Sequence, residues 1–316
     1  MPEFETDVLG APYTSETIPL PHDEEGPVHA TLVRRRADFP TGRAVLHVHG
    51  FADYFFQTGY AEWWNERGYD FYALDLRKYG RSIAPHHTPN FVSDLRTYFE
   101  ELDEAWQRVT GRDSHDHVVL SGHSTGGLVI SLWAHDRRPA LRGVVLNSPW
   151  FDLQGPPWMR TVGTHVIKQV GARQPRRLIP RKVSGLYARS LHRDHEGEWD
   201  FDLSWKPLES WPVYAGWLAA IRHGHAQLQA GIEVGAPALV LCSGRTSWPS
   251  EMGDDVHSSD IVLDVEQIRR WAPSVGRHVT IAAIEGGVHD VFLSREPARS
   301  QAYDELARFT SAYVDR

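Results

Sequence analysis

Five consecutive residues, Gly122-His123-Ser124-Thr125-Gly126, carry the first chemical signal in this 316-residue chain. The pattern is G-x-S-x-G. It follows an apolar run, VVLS, and leads into a second, GLVISLWA. A serine at such a strand-to-helix junction is forced onto a strained turn. Side chains two residues away on either side would clash there, and Gly122 and Gly126 remove them, with Gly127 adding room. The start of the following helix favours negative charge developing beside the hydroxyl. The chemistry implied is nucleophilic attack by Ser124, which needs a base to take its proton.

The elements that would position such a serine are legible in the hydrophobic pattern. VHATLVRRRA (28–37) alternates as a half-buried strand does, and RAVLHVHG (43–50) is a denser apolar run ending in glycine. GYAEWWNERG (59–68) reads as a helix closed by Gly68, and YDFYALD (69–75) as a strand. SDLRTYFEELDEAWQRVTG (93–111) reads as an amphipathic helix with Ser93 as its N-cap. DHVVLSG (116–122), GGLVISLWAHD (126–136) and LRGVVLNS (141–148) continue the alternation of strand and helix. The rhythm lapses over 150–230 and resumes with APALVLCS (236–243), HVTIAAIEGG (278–287) and the helix PARSQAYDELARFTSAYV (297–314). Short buried strands separated by helices predict an α/β fold with a mostly parallel sheet and helices on both faces. The expected domains are a core in two parts, 1–149 and 231–316, and an insertion, 150–230, over the carboxyl edge of the sheet.

Composition narrows the function. Hydrophobic residues at 41% and charged residues at 23% are globular values. A formal charge of −8 repels phosphate backbones, so no nucleic-acid partner is expected. The lone Cys242 excludes an internal disulfide framework and a multi-cysteine zinc site. No apolar run approaches the ~20 residues of a transmembrane helix, and the acidic start lacks the look of a secretory signal. A cytoplasmic protein of undetermined oligomeric state is the expectation.

The sequence resembles the α/β-hydrolase superfamily, and within it the monoacylglycerol lipase and lysophospholipase-like, or serine aminopeptidase-like, branch. The residues that carry the resemblance are HVHGFAD (47–53), RGYDFYALDLRKYGRS (67–82), LSGHSTGGLV (120–129), LRGVVLNSPW (141–150), SSDIVLDVEQI (258–268) and GGVHDVFLS (286–294). They lie in order across most of the chain outside 150–230. The chain departs from the pattern at Tyr79-Gly80, where the family has His-Gly or a similar pair before Arg-Ser. The resemblance implies an α/β-hydrolase fold with about eight strands, an inserted cap, and the chain order Ser–Asp–His for a catalytic triad.

In that order His289, in a loop after the last expected strand and preceded by Gly286-Gly287, becomes the base. The acid belongs between APALVLCS and the next helix, where Glu251, Asp254, Asp255, Asp260 and Asp264 all lie. Asp264 stands three residues before Gln267 at the head of a helix, a capping-box spacing. Asp260 matches the family's aspartate before a short apolar pair, with Asp254 and Asp255 as alternatives. The resemblance also assigns an oxyanion hole to the backbone N–H groups of Thr125 and of the His49-Gly50-Phe51 loop, best Phe51.

Six of the 12 tryptophans, at 150, 158, 199, 205, 211 and 217, fall in or beside the insertion. Singly, each is expected in the insertion's own core; as a set they favour an apolar pocket over a charged one. Tyr54, Trp150, Trp158 and Trp217 are the expected substrate contacts. The basic stretch 173–182 reads as a solvated turn. The histidine pairs His115/His117, His192/His195 and His223/His225 match no established zinc signature, and no Gly-rich phosphate loop is present, so neither metal nor cofactor is expected. The function expected is hydrolysis of an apolar carboxylic ester through an acyl-enzyme. Peptidase, thioesterase and lactonase chemistry would use the same machinery, and a non-catalytic ligand-binding hydrolase fold is the alternative from another class.

Overall fold

A computed structural model describes residues 4–155, 163–181 and 183–316. Nine strands among the described residues form one sheet in the order β1-β2-β3-β5-β4-β6-β7-β8-β9. The first three, β1 (Glu5–Thr6), β2 (Thr14–Asp23) and β3 (Gly26–Arg35), are antiparallel, and β3 pairs antiparallel with β5 (Tyr69–Asp75). From β5 onward the sheet is parallel through β4 (Arg43–Val48), β6 (His117–His123), β7 (Leu141–Asn147), β8 (Ala238–Ser243) and β9 (Val279–Ile284). This is the α/β-hydrolase fold expected from the sequence, with two more amino-terminal strands than the pattern disclosed.

Strands β4, β5, β6 and β8 are buried along nearly their whole length, which is why they read as continuous apolar runs. Alternate side chains feed two cores. One face holds Leu46, Leu120, Val144 and Val240 beneath α2 (Phe99–Gln107) and α3 (Thr125–Arg137). The other holds Val45, Val119, Val145 and Leu239 beneath α1 (Thr58–Asn65) and α9 (Ala298–Phe309). The helix expected from residue 93 is capped one residue later: Asp94 accepts from the Arg96 N–H, and a 3-10 turn over Leu95–Tyr98 precedes α2.

Between β7 and β8 the chain forms α4 (Thr164–Arg173), α5 (Leu186–Leu191) and α6 (Ala215–Gln229). After β8 come α7 (Asp254–Ser258) and α8 (Val265–Trp271). Asp264 accepts from the Glu266 N–H and so caps α8, as its spacing from Gln267 predicts.

Strand β4 lies between β5 and β6, so the crossover from β4 runs to β5 on one side and the next, from β5, returns past β4 to β6 on the other. A crevice opens beyond the carboxyl ends at such a point because the flanking connections turn away from each other. The HGF loop leaves β4 there, and the serine turn leaves β6 beside it.

Candidate active site

Ser124 is the hinge between β6 and α3, with φ 52 and ψ −117. Glycine neighbours make this strained turn possible. A Cβ on Gly126 would lie 2.2 Å from the His49 carbonyl oxygen, and one on Gly122 would lie 2.7 Å from Ile130. The backbone is tied on both sides: Ser124 N–H donates to Asn147 O at 3.0 Å, and Trp150 N–H donates to Ser124 O at 3.0 Å.

His289 and Asp260 arrive from distant parts of the chain. His289 Nε2 is 3.0 Å from Ser124 Oγ, and His289 Nδ1 is 2.8 Å from Asp260 Oδ2. All three side chains are buried, Asp260 completely. The other oxygen of Asp260 accepts from the N–H groups of Val262 and Leu263, both at 2.8 Å, so the carboxylate is fixed by main chain. A carboxylate held this way keeps a proton on Nδ1 and leaves the Nε2 lone pair facing the serine hydroxyl. The geometry separates Asp260 from its alternatives. Asp255 is on the exposed side of α7, paired with Arg245, and Asp254 opens that helix at the surface, as Glu251 lies exposed before it.

The His289 loop has its own supports, which the sequence did not disclose. Asn147 Nδ2 donates to Asp290 Oδ1 at 2.6 Å, and Gln57 Nε2 donates to Asp290 Oδ2 at 3.2 Å. The Tyr187 hydroxyl accepts from the Asp290 N–H at 3.1 Å. Burial, reinforced by Asp290, lifts the Tyr187 phenol well above its ordinary range, so it remains neutral.

His49 sets the loop leaving β4. Its Nε2 accepts from Leu76 N–H at 3.1 Å, so Nδ1 carries the proton and donates to Gly50 O at 2.8 Å. Burial pushes the His49 pKa down, consistent with this neutral ring. In a trans peptide the C=O and N–H point in opposite directions, so anchoring the Gly50 carbonyl also orients the Phe51 amide. Ala52, at φ 51, donates to Asn90 Oδ1 at 3.1 Å and holds the next turn. Phe51 and Thr125 both line the cavity above Ser124. His123 Nδ1 lies 3.3 Å from Asp53 Oδ2, and His47 Nδ1 lies 3.0 Å from Ser121 Oγ on the strand behind.

That cavity measures about 990 Å³ and exposes Ser124 and His289. Its walls include Phe51, Trp150, Trp217, Trp248, Val262 and Leu263, together with Arg181, Tyr187 and Lys206 from the chain between β7 and β8. Phe51 packs against Trp217 in a tilted pair with ring centroids 4.3 Å apart. Trp150 and Trp217 therefore stand where substrate contacts were expected. Tyr54 does not: its hydroxyl accepts from the Asp202 N–H at 2.7 Å, and its ring packs against Trp205 in a cluster outside the cavity. Trp199 donates to Leu293 O and Trp211 to Trp205 O, so these rings serve local packing. Trp158 lies outside the described residues. Trp248 comes from the loop after β8 and was not anticipated. No cluster of three or more metal-ligating side chains occurs among the described residues.

A buried serine, imidazole and carboxylate in hydrogen-bonded series, at the carboxyl edge of a mostly parallel sheet, define an α/β-hydrolase. The chain belongs to the family described as serine aminopeptidase, S33 (Hydrolase_4), whose profile matches residues 40–297. Phospholipase YtpA of Bacillus subtilis is 25% identical over 288 residues, spanning 88% of this chain and 98% of that protein. The uncharacterized protein YnbC of Escherichia coli is 35% identical over 88 residues, which cover 27% of this chain and only 14% of that protein. Among solved structures, a monoglyceride lipase from Saccharomyces cerevisiae superposes with a TM-score of 0.64 at 14% identity, covering 92% of this chain and 93% of that one. Among the described residues no helix is long and apolar enough to cross a membrane.

Proposed function

We propose that this protein is a cofactor-free serine hydrolase that cleaves an apolar carboxylic ester through an acyl-enzyme on Ser124. The observation that carries the reading is the 3.0 Å contact between Ser124 Oγ and His289 Nε2, with Asp260 on the far nitrogen. Ser124 Oγ attacks the ester carbonyl carbon while its proton passes to His289 Nε2. The carbonyl oxygen becomes an oxyanion held by the Phe51 and Thr125 amides, each worth about 3 kcal/mol of barrier. The C–O bond to the alcohol then breaks, and the alcohol leaves with the proton from His289. Water repeats the sequence on the acyl-enzyme, releasing the acid and restoring Ser124. Asp260 holds the imidazole and offsets its positive charge without taking the proton.

The aromatic and aliphatic walls, and a volume at the upper end for small-molecule sites, support an extended apolar acyl group. The phospholipase named among the relatives supports an ester of lipid type. We read 150–230 as a cap, since it supplies one wall of the cavity.

The test is labelling with a fluorophosphonate, together with turnover of a p-nitrophenyl ester chain-length series, glyceryl esters and aminoacyl anilides. Covalent modification at Ser124, lost in Ser124→Ala, with preference for esters of medium or long acyl chains, is the expected result. Folded protein that takes no label would establish the binding-protein reading instead, and faster cleavage of the anilides would make it a peptidase.

A further inference from the structure

A second charged array stands beside the serine and takes no part in the scheme above. Lys206, from the chain between β7 and β8, places Nζ 2.8 Å from Asp53 Oδ1. The other oxygen of Asp53 is 3.3 Å from His123 Nδ1. Both ends of the ion pair are buried, with side-chain exposures of 7% and 2%. The ammonium sits among the rings of Phe56, Phe201 and Tyr187, each centred 5.7 to 5.8 Å away. His123 immediately precedes Ser124, and its ring centroid is 4.9 Å from that of His289.

The charge on His123 therefore matters. His289 must become positive as the serine is deprotonated, and a second cation at that distance would oppose it. A buried carboxylate touching His123 would by itself favour an imidazolium. Two features act against that outcome. The Lys206 ammonium already neutralises Asp53. Among the described residues His123 Nε2 is buried with no hydrogen-bond partner, so a proton placed there would find no acceptor among them. Among the described residues the remaining titratable groups around the array are His47 and His49 on the strand and loop behind, His289 with Asp260, and Tyr187 facing Asp53. Burial drives His47 and His49 toward the neutral form, and Tyr187 is neutral too. Among the described residues around the array, Lys206 is thus the cation that balances Asp53.

We propose that Lys206 is a positioning residue whose ammonium, docked on Asp53, keeps His123 neutral and so leaves His289 free to act as base. The proposal rests on the reading of Ser124 and His289 given above. It also accounts for a lysine buried among aromatic rings, where an unpaired charge would be costly.

The test is a titration of the His123 ring protons by NMR in the wild type and in Lys206→Met, with kcat/KM for a p-nitrophenyl ester followed over the same pH range. In Lys206→Met the His123 midpoint should rise by about one to three pH units. The rate should fall about tenfold or more below that midpoint and recover above it, with KM little changed. Lys206→Arg should restore both readouts, and adding Asp53→Asn to Lys206→Met should return His123 toward its wild-type midpoint. Should Lys206→Met not fold, Asp53→Asn alone should move the midpoint downward. An unmoved His123 midpoint, or a loss of rate uniform across pH, would overturn the proposal. Wild-type protein that neither labels nor hydrolyses esters would instead overturn the role of Ser124, and the NMR titration would still decide the role of Lys206.

Discussion

Five acidic residues lie between β8 and α8, and the fate of each is set by its hydrogen-bond partners rather than by its distance along the chain. Asp260 accepts two main-chain N–H groups on one oxygen and faces His289 with the other. In Asp260→Asn the carbonyl oxygen would keep the main-chain bonds, turning the amide NH2 toward His289. The imidazole would then present its lone pair at Nδ1 and its proton at Nε2, facing Ser124 with no base. Steady-state kinetics should show kcat reduced by about 10⁴-fold with folding intact. Asp264→Ala removes only the cap of α8. It should cost about 1 kcal/mol in denaturant unfolding and leave kcat unchanged. Asp255→Asn breaks an exposed pair with Arg245 and should cost no more than about 1 kcal/mol. If Asp264→Ala or Asp255→Asn abolished turnover while Asp260→Asn did not, the acid would be misassigned.

At the scale of elements, the parallel half of the sheet was legible because β4, β5, β6 and β8 are buried on both faces and read as unbroken apolar runs. The amino-terminal hairpin was not. In β2 the inward positions include Glu16 as well as Ile18 and Leu20, and Pro19 interrupts the run. Glu16 is buried because Arg112 reaches it from the helical turn that follows α2, an ion pair that no local pattern announces. Pro19 is tolerated because β1 covers only Thr14 and Ser15, leaving the rest of β2 an edge. The serine turn and His289 could be read from motif and order. Lys206 and Asp53 could not, since they meet the site from loops with no periodicity, nor could Tyr187, on a helix of only six residues, and Tyr54 was misplaced because nearness in sequence to Phe51 says nothing of which way a ring turns. The contact of the serine turn with the end of β4 gives an element-level prediction. Gly126→Ala would drive a methyl group into the carbonyls of Val48 and His49, at 2.5 and 2.2 Å, and α3 would have to back away. Thermal unfolding should report a loss of about 1–3 kcal/mol. The Thr125 amide would move away from Phe51, and displacement by about 1 Å should cost ~10²-fold in kcat. Gly111→Ala, where a Cβ meets nothing within 4 Å, is the control and should change neither by a comparable amount.

For the whole molecule, the buried histidines tie folding to pH. His47 lies among the rings of Phe55, Tyr60 and Phe71, and burial pushes its pKa from 6.5 down to about 3. His225, fully enclosed, donates from Nε2 to Trp150 O and accepts at Nδ1 from Arg222; burial, aided by that guanidinium, also brings it to about 3. A depressed pKa means that unfolding releases an imidazole able to bind a proton that the native state refuses. The stabilising contribution is complete above pH 6.5 and declines as pH falls toward 3. His49 adds in the same direction, whereas His115, raised by Asp70 against the effect of burial, acts in the opposite one. Glu25, held near pH 2 by Lys78 against burial, loses its contribution only below pH 4.5 and leaves the range from 5 to 7 to the histidines. His47 and His225 together should remove about 4 kcal/mol of stability between pH 7 and pH 5. Urea unfolding at the two pH values measures this directly. His47→Phe, which fits a ring among rings and lacks the titrating group, should reduce the pH-dependent loss by about 2 kcal/mol. An unchanged pH dependence in that variant would mean that native His47 takes up its proton over the same pH range as in the unfolded chain, against the neutral ring that its aromatic enclosure requires.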